Sequence, residues 1–156
     1  MEKKGQMKIS FGMIFSLIII IAIITTAFFV IRLVLKNQRC MEINLVIEDL
    51  KENIDQAWKS EKVSYDKEFS VPTQIKKICF INLNSRDGIP EEVYLEIREN
   101  SESDNLFLFP ANSACERHAT SLNHIEFDNF CIDNTGKISL RFEKSLDEDF
   151  VRIKNE

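Results

Sequence analysis

Glycine and proline are scarce in this 156-residue chain, which has four of the first and three of the second. So few glycines leave little backbone for the left-handed loops that cradle phosphates or dinucleotides. No G-x-S-x-G elbow, H-E-x-x-H pair or Walker-type loop occurs, so serine-hydrolase, zinc-protease and P-loop chemistry have no foothold. No asparagine stands two residues before a serine or threonine, which removes the acceptor for N-glycosylation. Histidine is limited to His118 and His124. Cys115 and His118, with His124 and Cys131 downstream, make a Cys2His2 set on paper. The histidines are six apart, however, which fits no usual zinc-finger spacing. A cysteine committed to a disulfide is also lost as a ligand. Asp147, Glu148 and Asp149 read as a solvated turn rather than a cation site. The expectation is no catalytic residue, no metal and no cofactor: a protein that is not an enzyme.

Acidic side chains are nearly missing from residues 1–40, where Glu2 stands against Lys3, Lys4, Lys8, Arg32, Lys36 and Arg39. The remaining residues carry 14 basic and 24 acidic side chains. An acidic body of that kind repels phosphate backbones, so nucleic acid is excluded as a partner.

What the chain has in abundance is an apolar run. From Phe11 to Ile31 there are 21 residues without a charge, and the run continues through Leu33, Val34 and Leu35. At about 1.5 Å per residue those 21 residues reach roughly 31 Å, the thickness of a bilayer's hydrocarbon core. Only a helix or a closed barrel satisfies its backbone groups in lipid, and one segment can do so only as a helix. The run is too long for the core of a cleaved secretory signal, so it reads as a retained anchor with membrane lipid as its surroundings.

Beyond Arg32 the pattern changes from wholly apolar to amphipathic. Ile43, Val46, Ile47, Leu50, Ile54, Ala57 and Trp58 recur at steps of three and four, one stripe of a helix. No glycine or proline falls between Leu17 and Val71. The chain therefore predicts one helix from about Phe11 to Lys59, near 70 Å long. Its stripe must be covered, either by the chain's own strands or by the helix of a second copy.

From Ser60 onward the texture is that of short strands. Residues 75–83 alternate Ile78 and Phe80 with Cys79 and Ile81, a strand buried on both faces. Pro90, Glu91 and Glu92 resemble a helix start, whereas Val93, Leu95 and Ile97 fit a strand equally well. Residues 105–109 form a strand ended by Pro110, and 111–121 read as a surface loop. Asp133 to Gly136 is a turn of the kind that closes a hairpin, leading to a half-buried strand with Ile138, Leu140 and Phe142. The C-terminal third thus reads as a β-meander. The fold class is α+β: a long N-terminal helix, transmembrane then amphipathic, followed by a small, mainly antiparallel β head. The expected divisions are a basic leader (1–10), the transmembrane helix (11–35), an amphipathic stalk (36–60) and the head (61–156).

Four cysteines allow three complete pairings. Cys79 and Cys131 lie in predicted strands and are the expected bridge. Cys40 and Cys115 are left to pair with each other, to remain free, or to pair between copies. An even set of cysteines suits an oxidising exterior. Together with the basic leader it orients the chain as a single-pass protein of the cell membrane, N-terminus in the cytoplasm and head outside.

The leader carries a resemblance. Lys3, Lys4, Gly5 and Gln6, followed closely by the long helix, resemble the class III signal of archaeal type IV pilin-like proteins. That resemblance implies cutting between Gly5 and Gln6 by a membrane peptidase, with the apolar helix kept as the core of a filament. Two positions depart from the pattern: Ser10 stands where the family has glutamate, and Lys8 adds a charge. The same residues also fit an uncleaved basic anchor. The expected roles are a pilin-like structural subunit, with homo-oligomeric or pilus-type assembly, or a monomeric membrane-anchored extracellular interaction domain. An anchored enzyme is the remote third.

Overall fold

The computed structural model describes residues 11–85, 87–97 and 103–155. Gly5 and Gln6 lie outside them. A single helix, α1, covers Phe11–Lys59, and its end at Lys59 is the one that the uninterrupted helical texture predicts. The chain divides into two compact units, the first ending at Gln38 and the second running Arg39–Glu156. The helical residues 39–59 therefore belong with the β head.

In the first unit every side chain from Phe11 to Gln38 is exposed. The few polar side chains in the run are closed on the helix itself. The hydroxyls of Ser16 and Thr25 donate to the carbonyls of Gly12 and Ile21, at 2.8 and 2.7 Å, and that of Thr26 donates to the carbonyl of Ala22. Bonds of this i−4 type leave no hydroxyl seeking water.

Among the described residues the second unit contains eight strands in two four-stranded sheets. In chain order the elements are β1 (Val63–Ser70), β2 (Lys77–Phe80), the short helix α2 (Glu91–Ile97) and β3 (Leu106–Phe109). There follow a 3-10 turn at Ala111–Ser113, then β4 (Ala119–Thr120), β5 (Ile125–Glu126), β6 (Phe130–Asp133), β7 (Lys137–Lys144) and β8 (Val151–Asn155). The strand orders are β1-β7-β8-β5 and β4-β3-β2-β6. All pairs are antiparallel except β5 with β8.

One core joins the helix to both sheets. Ile43, Ile47, Leu50, Ile54 and Ala57 of α1 are buried with Phe69, Leu140, Phe142, Val151 and Ile153 of the first sheet and Ile78, Phe80, Leu106 and Leu108 of the second. The helical stripe is thus covered by the chain's own strands. The alternation in β2 sends Cys79 the other way, into a second cluster with Ile81, Phe107 and Ile97 of α2. The second sheet is consequently packed on both faces, as the apolar texture of residues 75–83 requires.

Two sequence-based expectations are corrected, and the choice between helix and strand left open after Pro90 is decided. The segment after Pro90 is a helix, because Val93 and Ile97, four apart, pack on the second cluster while Leu95 is half exposed. The stretch 111–121 is not wholly loop, since Ala119 and Thr120 pair with Phe107 and Leu106. The turn at Asp133–Gly136 does not close a hairpin: β6 pairs with β2 and β7 with β1 and β8, so the turn carries the chain from one sheet to the other. The C-terminal third is accordingly no simple meander.

Asn134 makes that crossing possible. Its amide donates to the carbonyls of Pro72 (3.1 Å) and Ile75 (2.8 Å), and its Oδ1 accepts from the Gly136 N–H (2.8 Å). Gly136 has φ of 104°, a conformation side chains disfavour. Asn134→Ala would strand two half-buried carbonyls and one N–H, and is expected to cost about 2–3 kcal/mol. Urea unfolding of the variant beside the parent measures it.

The outer face of the first sheet is a lattice of ion pairs. Arg141 grips Asp66 with two bonds (2.6 and 2.9 Å), Lys137 meets Glu68 (2.9 Å), and Lys154 meets Glu143 (2.6 Å). Hydrogen bonding from Arg141 holds the Asp66 carboxyl below its ordinary range, and Lys154 does the same for Glu143. Because both carboxyls bind protons more weakly in the folded state, their contribution is present above the unfolded values, about 4. It is lost as pH falls through the lower folded values. The urea midpoint should therefore drop on acidification below about pH 4, and Arg141→Met should flatten part of that slope by lowering the neutral-pH midpoint while leaving the midpoint in acid little changed.

Candidate functional site

Two features stand out as candidates: the apolar segment of α1 and the disulfide-bonded domain that follows it. The segment is long and apolar enough to cross a membrane, and none of its most apolar stretch is buried within the structure. Where the charges begin, the Arg32 guanidinium lies 4.3 Å from the Phe28 ring centroid. An arginine laid along the helix in this way keeps its stem on apolar surface and its head near the boundary.

The cysteines are brought together as two intramolecular disulfides. Cys79 and Cys131 are directly opposed on β2 and β6 and are bonded to each other. The pair lies beneath α2, with Cys79 wholly enclosed. Cys40, in the second residue of the head unit, is bonded to Cys115, which follows the 3-10 turn in a left-handed conformation with φ of 57°. This bridge fixes residues 110–118 to the first turn of the head's helical segment. Of the three alternatives open to Cys40 and Cys115, the structure contains the pairing with each other.

The histidines serve elsewhere. His124 stacks on Trp58 with ring centroids 3.8 Å apart, and its Nδ1 is buried without a hydrogen-bond partner. Trp58 in turn donates from Nε1 to the Asp149 carbonyl (3.0 Å), which ties the end of α1 to the β7–β8 turn. His118 accepts from the Leu108 N–H through its carbonyl (2.8 Å). Cys115, His118, His124 and Cys131 do not converge, and both cysteines are in different disulfides. Among the described residues no group of three or more His, Cys, Asp or Glu side chains could hold a metal ion. Glu148 accepts from the Ser145 N–H (3.0 Å) and pairs with Arg152 (2.8 Å), so the middle carboxylate of the acidic turn is engaged within the head.

Shallow depressions surround Phe127, with Asp87, Asp104, Glu126 and Asp128 along their walls. The amides that line them are committed to the backbone. Asn105 exchanges both its polar atoms with Leu122 (2.8 Å each), and Asn129 accepts from the Asn82 N–H while donating to the carbonyls of Ser85 and Asp87. These two side chains hold the loops in place.

Sequence reasoning missed the groups that fasten the helix to the sheets. Lys144 donates from Nζ to the Ser60 carbonyl (3.0 Å) and to that of Trp58, satisfying groups at the helix end. Nothing local marks Lys144 for this, since its partners are more than eighty residues earlier. Asn134 was legible as a turn residue, not as a clamp.

No protein-family model matches the chain, and neither a curated protein nor a solved structure does. What the fold and these sites define is a class: a helix fit to cross a membrane, continuing into a disulfide-bonded α+β domain.

Proposed function

We propose that the chain is a non-catalytic, single-pass membrane protein with its head outside the cytoplasm, acting as a pilin-like structural subunit. The observation that carries this reading is the state of the helix: Phe11 to Ile31 is free of charge and, like the residues on to Leu35, exposed throughout. Such a surface needs lipid or a copy of itself. In the head's helical segment Met41 and Leu45, one turn apart, are also exposed, at 63% and 66%. They offer an apolar strip to a neighbouring helix just beyond the bilayer. Two disulfides support an oxidising location for the head. Membrane lipid and a second copy are the partners.

N-terminal sequencing of the protein purified from membranes tests the assignment. A mature chain beginning at Gln6 supports a processed subunit, and one that retains Met1 overturns it. Because Cys40 is already bonded to Cys115, helix contacts between copies are read with Leu45→Cys, whose oxidation should yield a covalent dimer. Labelling by an impermeant thiol reagent on intact cells after mild reduction reports the side on which the head lies.

One observation favours a second reading, the monomeric membrane-anchored interaction domain. The main stripe of the amphipathic helix is used up on the chain's own sheets. Failure of Leu45→Cys to cross-link, with Met1 retained, selects it.

A further inference from the structure

The strand β1 has an open edge. Its eight residues pair with β7 on one side, and no strand lies on the other among the described residues. An unpaired strand of that length is a template for pairing with another chain, and copies tethered to one surface meet at high local concentration. Along β1, Val63, Tyr65, Lys67 and Phe69 turn toward the helix and core, while Ser64, Asp66, Glu68 and Ser70 face solvent. A lysine therefore stands in the core-facing row. It is half exposed, 3.8 Å from the Asp49 carboxylate of α1, with its ammonium 5.9 Å from the Phe69 ring centroid.

We propose that Lys67, with Asp66 and Glu68, closes the β1 edge to a second copy of this chain. A copy that pairs antiparallel about a two-fold axis normal to the sheet must set core-facing residues opposite core-facing ones. Two such registers overlap seven of the eight residues. The one centred on Asp66 opposes Asp66 to Asp66. The one centred on Lys67 opposes Lys67 to Lys67 and Asp66 to Glu68. Like charges directly opposed destabilise a strand pair. The register overlapping all eight residues would set core-facing Tyr65 against solvent-facing Glu68, flipping one sheet relative to the other. In both in-phase registers Lys67 would also be covered by the added strand, away from the water that now solvates it. This edge protection does not depend on the pilin-like reading, which concerns the helix.

Hydrogen exchange on the full chain in detergent micelles at increasing protein concentration tests the proposal. In the parent, the β1 amides that point away from β7 should exchange rapidly at every concentration. In Lys67→Thr the same amides should become protected as concentration rises, with association strengthened about tenfold or more. Asp49→Asn serves as the control, because it removes the ion pair and keeps the inward charge. Protection in Lys67→Thr but not in Asp49→Asn supports the guard. Equal protection in both variants overturns it, since loosening of the helix contact would then be the cause. Unchanged rapid exchange in a folded Lys67→Thr overturns it as well.

Discussion

Three aspartates in the middle of the apolar run should release the protein from membranes, while a single one should not. Phe11 to Ile31 contains fourteen Leu, Ile, Phe and Val residues. At about 0.3–0.6 kcal/mol each they favour insertion by roughly 4–8 kcal/mol, and one central aspartate opposes it by about 3 kcal/mol. Ile20→Asp is therefore expected to stay in the pellet after alkaline extraction of membranes. The triple variant Ile20→Asp, Ile21→Asp, Ile24→Asp, costing about 9 kcal/mol, should move to the supernatant. Because no residue from Phe11 to Gln38 is buried, the substitutions remove no packing from the head. Its disulfides and urea midpoint should survive in the released protein. A parent chain that already extracts into the supernatant would refute membrane anchoring outright.

The span was readable in advance because apolar length is a property of consecutive residues. The same holds for the stripe from Ile43 to Trp58, whose spacing is fixed by the helix and not by what covers it. Which strand pairs with which is a different kind of fact. The turn at Asp133–Gly136 has the composition of a hairpin turn, yet its direction is set by Asn134 bonding to Pro72 and Ile75 some sixty residues away. Leu95 misleads for a related reason: alternation at 93, 95 and 97 looks like a strand until the pair four apart, Val93 and Ile97, is seen to pack under one cluster. Of the site residues, Cys79 and Cys131 were legible as strand partners. The bond from Cys40 to Cys115 was legible only as one of three alternatives, because it depends on where a loop 75 residues downstream returns to the helix. Lys67 was hidden by its own strand, where a charge in the inward row reads simply as an interruption.

Loss of both disulfides should unfold the head, although either alone should leave it folded. Cys79 and Cys131 are 52 residues apart and Cys40 and Cys115 are 75 apart. Closing loops of those lengths restricts the unfolded chain by about 4 kcal/mol and about 4.5 kcal/mol on the chain-entropy scale. The two loops interleave along the sequence, so the sum is an upper bound on their joint effect. A domain of this size commonly has 5–15 kcal/mol of total stability, so one loss is tolerable and two approach the whole. The bonds are not equivalent in packing. Cys79 is fully enclosed beneath α2, so Cys79→Ala with Cys131→Ala leaves a void as well as a longer free loop, adding about 1 kcal/mol. Cys40→Ala with Cys115→Ala instead frees a half-buried loop at the edge of the core. The expected order of urea midpoints is therefore parent, then the Cys40/Cys115 variant, then the Cys79/Cys131 variant, with the fully reduced protein unfolded in buffer. Near-ultraviolet circular dichroism of the single tryptophan, held against His124, follows all four. A fully reduced chain that kept this signal would mean that the two sheets and the helix hold together by packing alone.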